Sequence, residues 1–209
     1  MAIVTAGLAL AAQHGFENLS VRRLADELGT TPATLYRQFD SAEQILAAVA
    51  DGVLAEVELP DPVPDDAGPD ELRAWLTTGA DRYREAMLRY PGVADFLLMR
   101  GPTGPAGLAA MAEVCQVLAL TGRSPTQVAR AYDWLMTTVS VYTSKEDRLD
   151  RTGGAHLIAA ALKERGRQHR DDQLLEVLGA FTGDMPAAFE RNTRLVIDLL
   201  VTPTDDLRP

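Results

Sequence analysis

Gly29-Thr30-Thr31-Pro32-Ala33-Thr34-Leu35-Tyr36-Arg37-Gln38-Phe39 is the stretch on which the fold turns. A glycine can adopt the left-handed backbone that ends a helix, and Thr31 followed by Pro32 is an N-cap joined to a first-turn proline. The segment therefore reads as a stop, a tight turn and a new helix through Ala33, Leu35, Tyr36 and Phe39. Upstream, Ser20 is placed to cap a short helix carrying Val21, Leu24, Ala25 and Leu28, which Gly29 closes. Further upstream, Ile3, Ala6, Gly7, Leu10 and Ala11 fall at i, i+3, i+4, i+7 and i+8, the apolar stripe of a first helix ended by Gly15. Three short helices result, with the second and third in helix-turn-helix order.

The same punctuation continues downstream. Ser41 and Gln44 have capping-box spacing ahead of Ile45, Leu46, Val49, Val53 and Leu54, so a fourth helix should run to about Val57. Residues 55–71 hold four prolines and seven acids with no lysine or arginine, which marks a loop centred on about 58–70. Helical spacing returns from Leu72 to Tyr90, and a short piece spans Val93 to Met99. Gly101, Pro102, Gly104, Pro105 and Gly107 read as an ordinary turn before a helix from Leu108 to Leu120. Ser124, Pro125 and Gln127 start a long helix with Val128, Ala131, Tyr132, Leu135, Val139 and Tyr142 on one face, and a last helix covers about Pro186 to Leu200. Leu157–Leu162 and Leu174–Leu178 are shorter apolar pieces between them. Period-2 alternation is absent, so the predicted class is all-α with about nine helices.

Composition bounds the function. Of 209 residues 46% are hydrophobic and 24% charged, ordinary globular usage, and 20 basic against 30 acidic residues give a net charge of −10. A field of that sign repels polyanions as a whole, so nucleic-acid binding has to be local. No run nears the ~18 apolar residues of a membrane span and no secretory leader is evident, which predicts a cytoplasmic protein without a membrane partner. A single cysteine, Cys115, leaves no intramolecular disulfide and reads as a small apolar residue. His14, His156 and His169 lack metal-ligand spacing, and no dinucleotide, Walker, zincin or nucleophile-elbow motif occurs. Neither an enzyme nor a metal or other cofactor is indicated, and Ser20 within Asn18-Leu19-Ser20 reads as a cap rather than a glycosylation sequon.

Gly15-Phe16, Leu19-Ser20-Val21-Arg22-Arg23-Leu24-Ala25 and the Gly29–Phe39 stretch together resemble the N-terminal domain of the TetR family of transcriptional repressors, with Thr34-Leu35-Tyr36-x-x-Phe39 the most specific element. The motif-level resemblance covers about residues 3 to 50. Helix count, length and the pattern from Tyr83 to Pro102 are similar to a tetracycline-repressor-like C-terminal domain.

The resemblance implies a helix-turn-helix DNA-binding domain over 1–46 and a ligand-binding and dimerisation domain over 47–209. It places Thr31, Pro32, Ala33, Thr34, Tyr36, Arg37 and Gln38 toward the major groove and brings Arg22 to it. Chemistry is consistent: Arg22, Arg37 and Gln38 donate to base edges or phosphates, Tyr36 donates to a phosphate, and Ala33 or Thr34 suits a thymine methyl. Leu35 and Phe39 read as core.

Implied partners are a palindromic double-stranded operator, a second copy of the chain joined through the helices near 124–145 and 186–200, and a small hydrophobic or amphipathic effector. Trp75, Tyr83, Met87, Phe96, Met99, Met111 and Trp134 offer adaptable apolar surface for that effector, with Arg100, Gln116 and Thr137 as polar guides. A different class of reading is a helical ligand-binding or interaction protein of this fold that does not bind DNA. Residues 1–50 favour weak phosphate contact in either case, with three arginines, no lysine and five acids.

Overall fold

Two clusters of apolar side chains organise the helices, and two helices, the first and the fourth, belong to both. The computed structural model describes residues 2–153, 160, 164 and 184–202, which hold nine α-helices, one 3-10 turn and no strand. In chain order these are α1 (Ala2–His14), the turn Phe16–Asn18, α2 (Val21–Glu27), α3 (Pro32–Leu35), α4 (Ala42–Leu54), α5 (Pro69–Leu88), α6 (Val93–Arg100), α7 (Pro105–Ala119), α8 (Pro125–Thr152) and α9 (Met185–Val201). Leu157–Leu162, Leu174–Leu178, His156 and His169 fall in the stretch that, apart from residues 160 and 164, lies outside the described residues.

Ile3, Val21, Leu24, Ala25, Leu35 and Ile45 form the small core of the N-terminal head, with Phe39 packed against it. Local signals account for its helices. Ser20 Oγ accepts from the Arg23 amide at 3.3 Å and Ser41 Oγ from the Gln44 amide at 3.2 Å. Gly29, at φ 61, closes α2 with the Thr30 amide donating to Ala25 and its own to Asp26, a Schellman arrangement. Helix α3 is shorter than the spacing predicts: it ends at Leu35, and the Gln38 amide reaches back three residues to Leu35, tightening the chain into a turn before Phe39.

The larger core draws on α4 to α9 together with Ala11 of α1, Phe16 and Leu19, with Val49, Val53, Trp75, Leu76, Tyr83, Met87, Leu118, Leu135, Val139, Phe189 and Ile197 among its buried members. Helix α4 thus gives Ile45 to the small core and Val49, Ala50, Val53 and Leu54 to the large one, so the change from one core to the other falls inside one continuous helix. The long α8 packs against α5, α6, α7 and α9. Its apolar stripe stops near Tyr142, yet the helix continues to Thr152 because polar partners take over. Glu146, 4% exposed, accepts from Arg84 Nε at 2.6 Å, and Asp147 accepts from the Gly92 amide at 2.9 Å and pairs with Arg151.

One predicted turn is corrected. The glycine-proline stretch 101–107 does not end as a turn, because α7 already begins at Pro105. Asp51, on α4, accepts from the Ala106 amide at 3.2 Å and the Gly107 amide at 2.8 Å and so caps α7 from another helix. Gly104 is what permits this approach, since a Cβ there would lie 2.2 Å from the Asp51 carboxyl carbon.

Candidate functional site

At the far end of the head, Leu35 is the anchor and its neighbours are the surface. Leu35 is buried while Thr31, Pro32, Ala33, Tyr36, Arg37 and Gln38 are exposed and Thr34 is half-buried. Thr31 and Thr34 hydroxyls lie 3.2 Å apart, and Arg37 Nη2 donates to Thr34 Oγ1 at 3.3 Å, so these three form one hydrogen-bonded row along the α3 turn. Tyr36 stands beside them with nearly half its surface open. Arg22 is exposed in the first turn of α2 and makes no ion pair among the described residues, whereas Arg23 donates to the Asn18 carbonyl at 3.2 Å. The edge offers hydroxyls, an amide and guanidinium groups without a carboxylate bound to them, the donor set that phosphates and base edges accept.

The body holds an apolar cavity of about 190 Å³ between α4, α5, α6, α7 and α8, open to solvent on the side of Met111, Asp133 and Thr137. Four residues singled out from the sequence line it: Trp75, Tyr83, Met111 and Thr137. The others are placed elsewhere. Met87 is buried in the core, and Phe96 packs against Phe16 in a tilted arrangement, with ring centroids 5.0 Å and planes 53° apart. The Arg100 guanidinium covers the Phe96 ring and pairs with Glu43 of α4 at 2.6 Å. Met99, Gln116 and Trp134 are exposed and off the cavity wall.

Part of the wall comes from residues not singled out for the effector from the sequence, where Tyr132 reads only as part of the apolar stripe of α8. Tyr132, Met136 and Ser140 follow one another at helical spacing on α8, and Asp133 lies between them. Tyr83 Oη and Ser140 Oγ are 3.1 Å apart and buried. Burial pushes the Tyr83 hydroxyl pKa up, partly offset by that hydrogen bond, and burial pushes Tyr132 up to about 12, so both phenols stay neutral. The Trp75 indole donates to the carbonyls of Pro60 and Asp61 at 3.2 and 3.1 Å, tying the proline-rich loop to α5.

Cavity and head are mechanically joined. Leu54, on the cavity wall, is one turn beyond Asp51, whose carboxylate holds the start of α7. A second tie is the Phe16–Asn18 turn: the Phe16 amide donates to Pro91 at 2.6 Å, and Glu17 pairs with Arg151 near the end of α8.

The family model for bacterial regulatory proteins of the tetR family matches residues 3–49, and that for the tetracyclin repressor-like C-terminal domain matches residues 63–198. The chain belongs to the TetR family. An HTH-type transcriptional regulator of Saccharopolyspora erythraea is 27% identical over 201 residues, 93% of this chain and 81% of that protein. Apo ActR of Streptomyces coelicolor shares the fold at a TM-score of 0.80 and 27% identity, over 96% of this chain and 95% of that one, and ActR has also been solved in complex with actinorhodin. BioQ in complex with its double-stranded DNA operator matches at a TM-score of 0.59 and 26% identity, over 72% of this chain and 90% of that one. Fold and family together make this TetR-family chain a DNA-binding transcriptional regulator, with an N-terminal helix-turn-helix unit and a helical C-terminal unit. No helix among the described residues is long and apolar enough to cross a membrane.

Proposed function

We propose that this TetR-family regulator is a ligand-responsive repressor that leaves a palindromic operator when a small hydrophobic or amphipathic molecule fills the C-terminal cavity. The observation that carries the reading is the Asp51 cap, through which the helix bearing the reading head also holds a wall of the cavity. A ligand that binds one arrangement of α7 against α4 more tightly than the other shifts the population of head positions by that difference in affinity. ActR solved with actinorhodin and BioQ solved with its operator support the two halves of the reading.

On this reading Arg22 and the row Thr31, Pro32, Ala33, Thr34, Tyr36, Arg37 and Gln38 meet the duplex, residues 1–46 act as the head and residues 47–209 as the ligand-binding and dimerisation unit. Two copies join through α8 and α9. Of the apolar faces anticipated from the sequence for this contact, 128–142 and 189–200, Val128, Ala131, Leu135, Val139, Phe189, Val196, Ile197 and Leu200 are buried within the subunit, so the pairing surface is the outward side, where Trp134, Leu195 and Leu199 are exposed. Pairing two heads makes the second half-site an intramolecular event.

Gel-shift titration against the DNA flanking its own coding region tests the proposal. The expected result is a sequence-selective, salt-sensitive complex, with Arg37→Ala or Tyr36→Phe weakening it by about tenfold while the dimer persists in size-exclusion chromatography. An unchanged complex in both variants would refute the groove assignment. The surplus of acids over arginines in residues 1–50 favours a second reading, a ligand-binding protein of this fold that has lost DNA affinity, which predicts no complex even at low salt.

A further inference from the structure

The cavity wall has a marked charge asymmetry. Among the residues lining it there is no lysine, arginine or histidine, and its one acid is Asp133, exposed at the rim and without an ion pair among the described residues. A carboxylate or phosphate entering such a cavity would lose hydration with no counter-charge and would approach a like charge, whereas a protonated amine at the rim would gain one. The field of a chain with net charge −10 acts in the same sense on approaching ligands.

Size and polarity narrow the class further. About 190 Å³ exceeds the ~150 Å³ at which an apolar protein cavity accepts benzene, so one or two fused rings fit within it. Trp75 and Tyr132 supply flat aromatic surface and Met111 and Met136 adaptable filling. In the buried part, the Tyr83 and Ser140 hydroxyls use one proton between them, leaving one free donor and spare acceptors for a ligand hydroxyl or carbonyl.

We infer that this cavity selects a compact one- or two-ring aromatic molecule that is neutral or singly positive and discriminates against the corresponding anion. Asp133 sets the charge preference, and the Tyr83–Ser140 pair receives a hydroxyl or carbonyl group. The inference rests on the reading of the cavity as the effector site.

Isothermal titration calorimetry with naphthylmethylammonium, naphthalenemethanol and naphthoate tests it on the whole protein. The ammonium and the alcohol are expected to bind at least about tenfold more tightly than naphthoate. Asp133→Asn, a change at an exposed position, is expected to weaken the ammonium by about threefold, strengthen naphthoate and leave the alcohol within twofold, the scale of a single partly screened pair. Ala110→Phe, on the cavity wall, fills the space and removes binding of all three. Naphthoate binding as tightly as the ammonium, or an Asp133→Asn variant with the same order of affinities as the parent, overturns the charge selection and leaves the effector-site reading intact. Absence of saturable heat from every probe, or heat that survives in folded Ala110→Phe, overturns the effector-site reading and this inference together.

Discussion

Gly7 shows how tightly a single position is set. It lies mid-way in α1, where alanine would ordinarily add about 0.8 kcal/mol of helix propensity. A Cβ there, however, would lie 2.4 Å from Val49 Cγ2 and 2.9 Å from Cγ1, and Val49 is fully buried on α4. Overpacking of that kind costs about 1–3 kcal/mol, so Gly7→Ala is expected to lower the urea midpoint despite the better propensity. Val49→Ala in the same chain should recover part of the loss, and a double-mutant cycle showing no coupling would refute the steric account. Tyr90 gives a second residue-level expectation. Burial chiefly, and then its 2.7 Å hydrogen bond to Glu56, pushes its hydroxyl up to about 12. The folded protein holds this proton to higher pH than the unfolded chain, whose tyrosine ionises near 10, so the linked stability is complete below pH 10 and lost as the pH rises toward 12. Tyr132 acts in the same direction. Urea midpoints should therefore fall across that window, and less steeply in Tyr90→Phe.

At the scale of elements, what was legible in the sequence is what is encoded locally. Ser20, Ser41, Gly29 and the Ser124-Pro125 start lie within a turn of the helix ends they fix, and Gln127 accepts from the Ser124 amide at 2.9 Å as its spacing predicts. What escaped depends on partners far along the chain. The start of α7 needs Asp51, and the last turns of α8 need Arg84, Asp95 and Gly92 to match Glu146, Ser144 and Asp147. The cavity was partly legible for the same reason: large apolar residues were identifiable, but which of them face inward is a matter of helix phase against neighbours, which separates Met111 on the wall from Met99, 78% exposed. Asp133 carried no signal, being one acid among many. The Asp51 cap yields the prediction for this scale. Asp51→Ala leaves the Ala106 and Gly107 amides without their acceptor, at a cost of about 1–2 kcal/mol in chemical denaturation. It should also loosen α7 from α4, so that hydrogen exchange quickens in the first turn of α7 while the first turn of α8, capped by its own residues, is unchanged. Equal quickening at both helix starts would refute a local cap.

For the molecule as a whole, the decisive quantity under the proposed pairing of two heads on an operator is how few cations meet the DNA. Each head carries Arg22, Arg23 and Arg37 and no lysine within residues 1–50, so a pair of heads brings six arginines against ten acids. Arg23 is already engaged with the Asn18 carbonyl, and Arg100, which follows the head in space through Glu43, is held in an ion pair. Each neutralised phosphate contributes about −0.9 to the slope of log affinity against log salt, which bounds the arginine contribution at about −5. Non-specific binding, which rests almost wholly on that electrostatic part, should then be weak, and the acidic remainder of the chain weakens it further. On the dimeric operator-binding reading proposed above, selectivity has to come from the hydroxyl and amide row of α3 and from the fixed separation of two heads, and for that the α8–α9 pair must be rigid. Arg123 supports it by donating to the carbonyls of Leu199 and Leu200 at the end of α9, and Arg73 ties α9 to α5 through Asp198 at 2.6 Å. The expected outcome of a salt titration is a slope no steeper than about −5 for the specific complex, with unrelated DNA released at much lower salt. A steeper slope would mean that cations outside the head reach the duplex, and the α3 edge alone would no longer describe the interface.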